Sequence, residues 1–245
     1  MNFFHKYSSP KHFYPLAGRL IPWFGAVTVV LLVVGLYWGL VIAPPDYQQG
    51  DSYRIMFVHV PSAWMSLFVY VVMAVGAFVS FVWNIKLGDV LAASSAPLGA
   101  SFTLMALVTG SLWGKPMWGT WWVWDARLTS ELILFFLYVG YMALRASIDD
   151  PRRAGQASAI LAMVGVVNVP IIHFSVYWWH TLHQPASVMK LGAPTIYISM
   201  LIPLLIMAFA FQMYYFTMLL VRMRNEILER EQHMGWVNHV VDSAG

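Results

Sequence analysis

The sequence of 245 residues contains no cysteine and little charge, and both absences restrict what the protein can be. Without cysteine it has no disulfides, no thiolate metal sites, no iron–sulfur clusters and no covalent haem attachment through a Cys-x-x-Cys-His motif. Charged residues make up only 10% of the chain, whereas ordinary globular domains carry about 25% because their surfaces face water. A chain so poor in charge indicates a lipid environment.

Long apolar runs take the place of the missing charge. Hydrophobic residues make up 60% of the chain, and about 20 of them in a row suffice for a helix to cross a bilayer. The runs predict an all-α, polytopic membrane protein with six transmembrane helices in a single membrane domain, residues 1–245. The predicted spans are approximately 23–42, 57–83, 90–113, 128–145, 157–176 and 195–221.

Lys and Arg are distributed unevenly over the connections between these spans. They are concentrated on the side that includes both termini, whereas the opposite side has only Arg54, Lys115, Arg127 and Lys190. Because positively charged connections stay in the cytoplasm, both termini are predicted to be cytoplasmic. The net charge of +3 forms no basic patch of the kind that binds nucleic acid.

The second outward connection, residues 114–127, is part of a tryptophan-rich stretch. Five of the twelve tryptophans fall within the 13 residues from Trp113 to Asp125, WGKPMWGTWWVWD. Tryptophans of an interfacial belt are usually scattered among helix ends, whereas five together with two glycines and a proline predict a flat aromatic surface. Such a surface suits a large planar apolar ligand, because each indole ring buries about 150–250 Å².

Histidines near the outward ends of the spans are candidate ligands for the iron of a haem group. His59 lies at the start of the second span and His183 in the third outward connection, so they can flank the tryptophan-rich stretch from opposite sides. Two neutral imidazoles give a six-coordinate, low-spin iron. His180 is the rival of His183, since it would share its face if this stretch is helical. His173 is more simply explained as a structural residue at a helix end.

Outward arginines are candidate partners for the two propionates of haem. Arg binds a carboxylate through two parallel hydrogen bonds, which favours Arg54 and Arg127, whereas Lys115 suits lipid headgroups equally well. Glu131 is expected near the end of the fourth span, paired with Arg127 one turn earlier. Asp125 is expected to cap that span, because Asp accepts hydrogen bonds from first-turn amides.

These residues carry a resemblance to a known family. The stretch Trp118-Gly-Thr-Trp-Trp-Val-Trp-Asp125 is similar to the WWD motif, the tryptophan-rich signature of the haem-handling proteins of cytochrome c biogenesis. The six spans, with His59 in RIMFVHVPSAW and His183 in WWHTLHQ, resemble the CcmC family, the haem exporter proteins C. The similarity extends from about Trp38 to Gln184, which is most of the chain.

The resemblance implies a multi-pass component of the cytochrome c maturation system in a bacterial inner membrane. It implies a haem site on the periplasmic side and delivery of haem to the haem chaperone CcmE, with CcmA, CcmB and CcmD as partners in an ABC-type complex. By position, His59 and His183 match the axial ligands of a non-covalent, bis-His haem b. The residues that match the haem platform are Trp118, Trp121, Trp122, Trp124 and Asp125.

Two other functions remain open on the residues alone. A b-type haem subunit for electron transfer or quinol handling would place both ligands inside helices, whereas His59 and His183 are predicted at an interface and in a loop. A permease would line the middle of the membrane with polar groups, and such groups are few and isolated. No motif predicts an enzyme, and without a Gly-x-x-x-x-Gly-Lys-Ser/Thr motif any ATP-driven step must come from a partner.

Overall fold

The computed structural model describes residues 8–185, 187–188, 190 and 192–242, and its regular structure is helical. Within this part of the chain, β pairing is limited to one isolated bridge between Asp46 and Gly50. Six helical segments are long and apolar enough to cross a membrane. The prediction of an all-α protein with six spans is therefore confirmed. The cytoplasmic location of the termini stays a prediction. The single domain also stays a prediction, since its range of 1–245 extends beyond the described residues.

Eight α-helices make up the described structure. The first three are α1, Pro10–Tyr37, followed by a π-helical turn, Trp38–Ile42; α2, Met56–Trp83, preceded by a 3-10 helix, Asp51–Ile55; and α3, Lys86–Trp118. The fourth span is α4, Ala126–Ala146, and the fifth consists of α5, Pro151–Gly165, and α6, Asn168–Trp178. The last two are α7, Ile198–Arg230, and α8, Gly235–Asp242.

Most helices extend beyond the predicted spans. The predicted boundaries stop at charged residues, but a helix continues through a charge because its backbone hydrogen bonds do not require an apolar side chain. Thus α3 includes Lys86 and Lys115 and ends at Trp118. Gly119 follows it with a φ of +75°, the left-handed conformation that glycine adopts at helix ends. Residues 114–118, predicted as part of a loop, are helical.

Helices α2 and α3 form an antiparallel pair at the centre of the bundle. They approach so closely that a Cβ atom at Gly76 would lie 2.8 Å from the carbonyl oxygen of Gly88, so only glycine is accommodated there. Helix α1 packs along α7, while α4 and α5 pack against α2 and α3. The loops at one end of this bundle surround the candidate site, and we call this the site end.

An ion network lies at the opposite end. Both guanidinium nitrogens Nη1 and Nη2 of Arg145 donate to the carboxylate of Asp89, at 2.8 and 2.7 Å, and Arg230 Nη1 donates to Asp89 Oδ2 at 2.6 Å. These contacts join α3, α4 and α7. Because the carboxylate is largely buried, the pairing matters for the stability of the bundle.

Candidate functional site

A cavity of about 580 Å³ lies at the site end, between α2, α3, α6 and the connection that follows α6. Its volume is in the range of small-molecule sites, about 300–1,000 Å³. The wall is mostly apolar and aromatic, and Trp64, Trp113 and Trp118 all contribute to it. The polar groups on the wall include the imidazoles of His59 and His183 and the guanidinium group of Arg127. The fold thus brings together residues from three separate parts of the sequence.

His59 lies on the first turns of α2, with its ring against α3. Its Nδ1 is 3.1 Å from the carbonyl oxygen of Ala106 and 3.1 Å from Thr109 Oγ1. A carbonyl only accepts, so Nδ1 donates to it and Nε2 keeps a free lone pair, as in histidines that bind metals. Gly110 leaves room for the ring, because a Cβ atom there would lie 2.9 Å from His59 Cε1. Trp113 packs edge to face on the imidazole, with ring centroids 5.7 Å apart.

His183 lies in the connection after α6 and packs against Trp118, with ring centroids 4.9 Å apart and planes at 65°. Burial lowers the pKa of the His183 imidazole to about 4, and the charge of Arg127 acts in the same direction. The ring is therefore neutral at pH 7 and able to bind a metal. Its Nδ1 is buried and has no hydrogen-bond partner among the described residues.

Asp125 joins the start of α4 to the segment that carries His183. Its Oδ1 accepts a hydrogen bond from Leu128 N at 2.8 Å, so the predicted helix cap is confirmed. Its Oδ2 accepts from the hydroxyl of Thr181, and Thr181 Oγ1 in turn accepts from the backbone N of His183 at 3.1 Å. Asp125 does not line the cavity.

The tryptophans of the signature do not form one flat surface, contrary to the sequence prediction. Trp118 lines the cavity, and Trp122 lines a smaller one of about 40 Å³ next to it. Trp121 and Trp124 point outward and are 54% and 75% exposed. The rings of Trp122 and Trp124 meet edge to face at 74°. The chain turns at Gly119 and then runs without helical structure, so successive side chains point in different directions.

Arg127 lines both cavities, but its predicted ion pair with Glu131 is absent from the described structure. Arg127 Nη1 donates to the carbonyl oxygen of Ile172 at 2.7 Å, and Glu131 accepts from Ser66 Oγ at 2.7 Å. The predicted ion pair was based only on the spacing of the two residues along one helix. In the bundle, α2 and α6 offer closer partners, and buried polar groups bond to whatever partner the packing provides.

Arg54 is not brought to the cavity. Its Nη1 donates to the carbonyl oxygen of Gly39 at 2.7 Å and its Nε donates to Asp51 Oδ1 at 2.8 Å, so the guanidinium group is bonded to residues outside the cavity wall. Lys115 is likewise bonded locally, to the carbonyl oxygen of Gly119 at 3.0 Å. Of the predicted propionate partners, only Arg127 lies on the cavity wall.

Some residues at the site were not predicted from the sequence. His173, interpreted there as structural, lines the cavity, whereas the rival ligand His180 is exposed and lies outside it. Gln49 also lines the cavity, and its Oε1 accepts a hydrogen bond from Trp113 Nε1 at 3.0 Å. No local pattern marks Gln49 or Thr181, because their partners come from distant segments.

Comparison with known proteins agrees with this arrangement. The family model described as CcmC, heme exporter protein C, matches residues 3–238. The chain belongs to the CcmC family. The resemblance seen in the sequence is thereby confirmed, and it covers nearly the whole chain rather than the central part alone.

Curated members of the CcmC family are similar over most of their length. The heme exporter protein C of Bradyrhizobium diazoefficiens is 56% identical over 223 residues, which cover 91% of this chain and 84% of that protein. Those of Haemophilus influenzae and Escherichia coli K12 are 52% and 51% identical, over 95% and 98% of this chain. The two alignments include 95% and 97% of the length of these relatives.

Proposed function

We propose that this member of the CcmC family holds haem b non-covalently in the large cavity, between His59 and His183. The observation that carries the proposal is that these two imidazoles, from distant parts of the sequence, line the same cavity. Its relatives are named heme exporter proteins C, which supports haem as the ligand. Bound haem supplies an iron that accepts two axial ligands and a porphyrin that carries two carboxylates.

The side chains of the cavity suit such a ligand. His59 presents Nε2 because its Nδ1 is bonded to Ala106, and His183 is neutral at pH 7. The buried Nδ1 of His183 and the buried Nε1 of Trp122 have no partners among the described residues, as expected of groups that face a ligand or its water. Arg127 is the best placed partner for a propionate. A contact of Arg54 with the ligand requires its guanidinium group to leave Gly39 and Asp51.

With both imidazoles as its ligands, the iron would have no open position, so the site would hold haem rather than activate oxygen on it. The protein is then a presenter, and the covalent step belongs to the acceptor. We infer that the acceptor is the haem chaperone CcmE and that the exposed rings of Trp121 and Trp124 lie on the face it approaches. We further infer an inner-membrane protein with its site on the periplasmic side, because the basic residues are concentrated in the connections of the other side.

CcmA, CcmB and CcmD are the partners proposed for an ABC-type complex, because the chain has no phosphate-binding motif of its own. The names of its relatives, heme exporter protein C, support a role within an export system. Purification of the protein with each candidate partner tests this assignment.

The optical spectrum of the detergent-purified protein tests the haem proposal. We expect a Soret band in the unmodified protein, reduced in H59A and in H183A and abolished when both substitutions are combined. H180A is the matched control, because His180 lies on the same connection as His183 but is exposed and outside the cavity. A purified protein without a Soret band, or a band that survives the loss of both His59 and His183, contradicts the proposal.

A further inference from the structure

The two imidazoles of the cavity are held in place by different means. The ring of His59 is fixed by bonds from its own Nδ1 to Ala106 and Thr109. The ring of His183 makes no hydrogen bond through Nδ1 among the described residues, and it packs edge-on against Trp118. Within the described residues, no hydrogen bond from Nδ1 fixes the His183 ring, so its position depends on packing and on its backbone.

The backbone of His183 is anchored by two side chains in succession. Its N–H donates to Thr181 Oγ1 at 3.1 Å, and the Thr181 hydroxyl donates to Asp125 Oδ2. A hydroxyl group can accept one hydrogen bond while it donates another, so Thr181 links both partners at once. The other oxygen of Asp125 accepts from Leu128 N at 2.8 Å, on the first turn of α4. A connection without helical structure is thereby fixed to a rigid helix.

We propose that Thr181 and Asp125 are positioning residues, which hold His183 where it can bind the iron, and that Asp125 acts through this chain rather than by touching haem. The inference rests on the proposed function. It is supported by the location of Asp125 outside the cavity wall, although Asp125 belongs to the tryptophan-rich signature. Groups that orient a metal-binding histidine are known to affect the metal site strongly without contacting the metal.

The substitution T181V tests the proposal, because valine keeps the shape of threonine but lacks the hydroxyl. We expect haem-loaded T181V to lose the low-spin, six-coordinate spectrum and to regain it when free imidazole is added, as H183G does. T181S keeps the hydroxyl and is expected to retain the original spectrum. T217V is the matched control, because it removes a threonine hydroxyl group that lies between α1 and α7, away from the cavity.

A folded T181V that stays low-spin without added imidazole overturns the proposal, and so does one whose spectrum imidazole does not restore. If valine prevents folding, T181A provides the same test with a smaller side chain. Failure of the proposed function gives a different result: the unmodified protein binds no haem, or H183G has the spectrum of the unmodified protein.

Discussion

Trp113 Nε1 donates a hydrogen bond of 3.0 Å to Gln49 Oε1, and this bond joins the first loop of the site end to α3 at the cavity wall. The same Trp113 ring packs edge to face on the imidazole of His59. Gln49 is therefore connected to a proposed iron ligand through a single aromatic ring, although it lies ten residues earlier in an irregular loop.

We predict that Q49A accelerates haem loss, because the N–H group of the partly buried Trp113 ring then loses its acceptor at the cavity wall. One such hydrogen bond is worth about 0.5–1.5 kcal/mol, which corresponds to a change of up to about tenfold in affinity. The rate of haem transfer to an excess of a haem-scavenging protein measures the effect. Gln48 is the adjacent exposed residue, and Q48A is expected to behave like the unmodified protein; equal rates for Q49A and Q48A contradict the prediction.

We predict that G110A disturbs the ligation of iron by His59. The added methyl group would lie 2.9 Å from His59 Cε1, closer than real carbon contacts, so the imidazole must move away from α3. The optical spectrum is expected to lose its low-spin form while the helical content is retained. G140A is the matched control, because a Cβ atom at Gly140 meets only Leu161, at an ordinary 3.8 Å. An unchanged spectrum in G110A excludes the arrangement described for His59.

A modified ligand can distinguish which of the two arginines proposed from the sequence, Arg54 or Arg127, binds a propionate. Haem dimethyl ester lacks free carboxylates, so a protein that binds a propionate prefers haem to the ester. We predict that R127Q removes this preference and that R54Q keeps it, because only Arg127 lies on the cavity wall. Competition between the two ligands, followed by absorbance, measures the preference. Loss of the preference in R54Q with its retention in R127Q reverses the assignment.

The ion network at the far end of the bundle is expected to affect stability without affecting haem. D89N removes the carboxylate shared by the largely buried guanidinium group of Arg145 and the more exposed one of Arg230, which keeps Glu226 as a partner. Breaking a fully buried pair costs about 3–5 kcal/mol, and the partial exposure of this network makes the expected cost smaller. We therefore expect a lower Tm in detergent and an unchanged Soret band in the folded fraction. E226Q, which alters a more exposed member of the network, is expected to lower the Tm less. A Tm for D89N equal to that of the unmodified protein contradicts this account.

Features with a local sequence signal were predictable. The six spans follow from runs of apolar residues, and the cap at Asp125 follows from an acidic residue just before a helical run. The helix ends were less predictable, because charge marks the membrane interface and not the end of the helix. Lys115, for example, lies within the last turn of α3.

Features that depend on packing were not predictable from the sequence. Glu131 is one turn from Arg127, but it bonds to Ser66 on α2, which no periodicity indicates. The tryptophans after Gly119 were expected in one plane, yet the irregular backbone directs Trp122 inward and Trp124 outward. His173 reaches the cavity only because α6 folds against α4. Each of these contacts depends on which helices pack against each other, and local sequence patterns do not indicate that packing.

The central claim, that His59 and His183 share one iron, is tested most directly by electron paramagnetic resonance of the ferric, haem-loaded protein. We predict a low-spin signal of an iron with two imidazole ligands. In H59G and in H183G this signal is expected to convert to a high-spin form and to return on addition of imidazole. A high-spin signal in the unmodified protein, or a low-spin signal that neither substitution alters, would contradict the account.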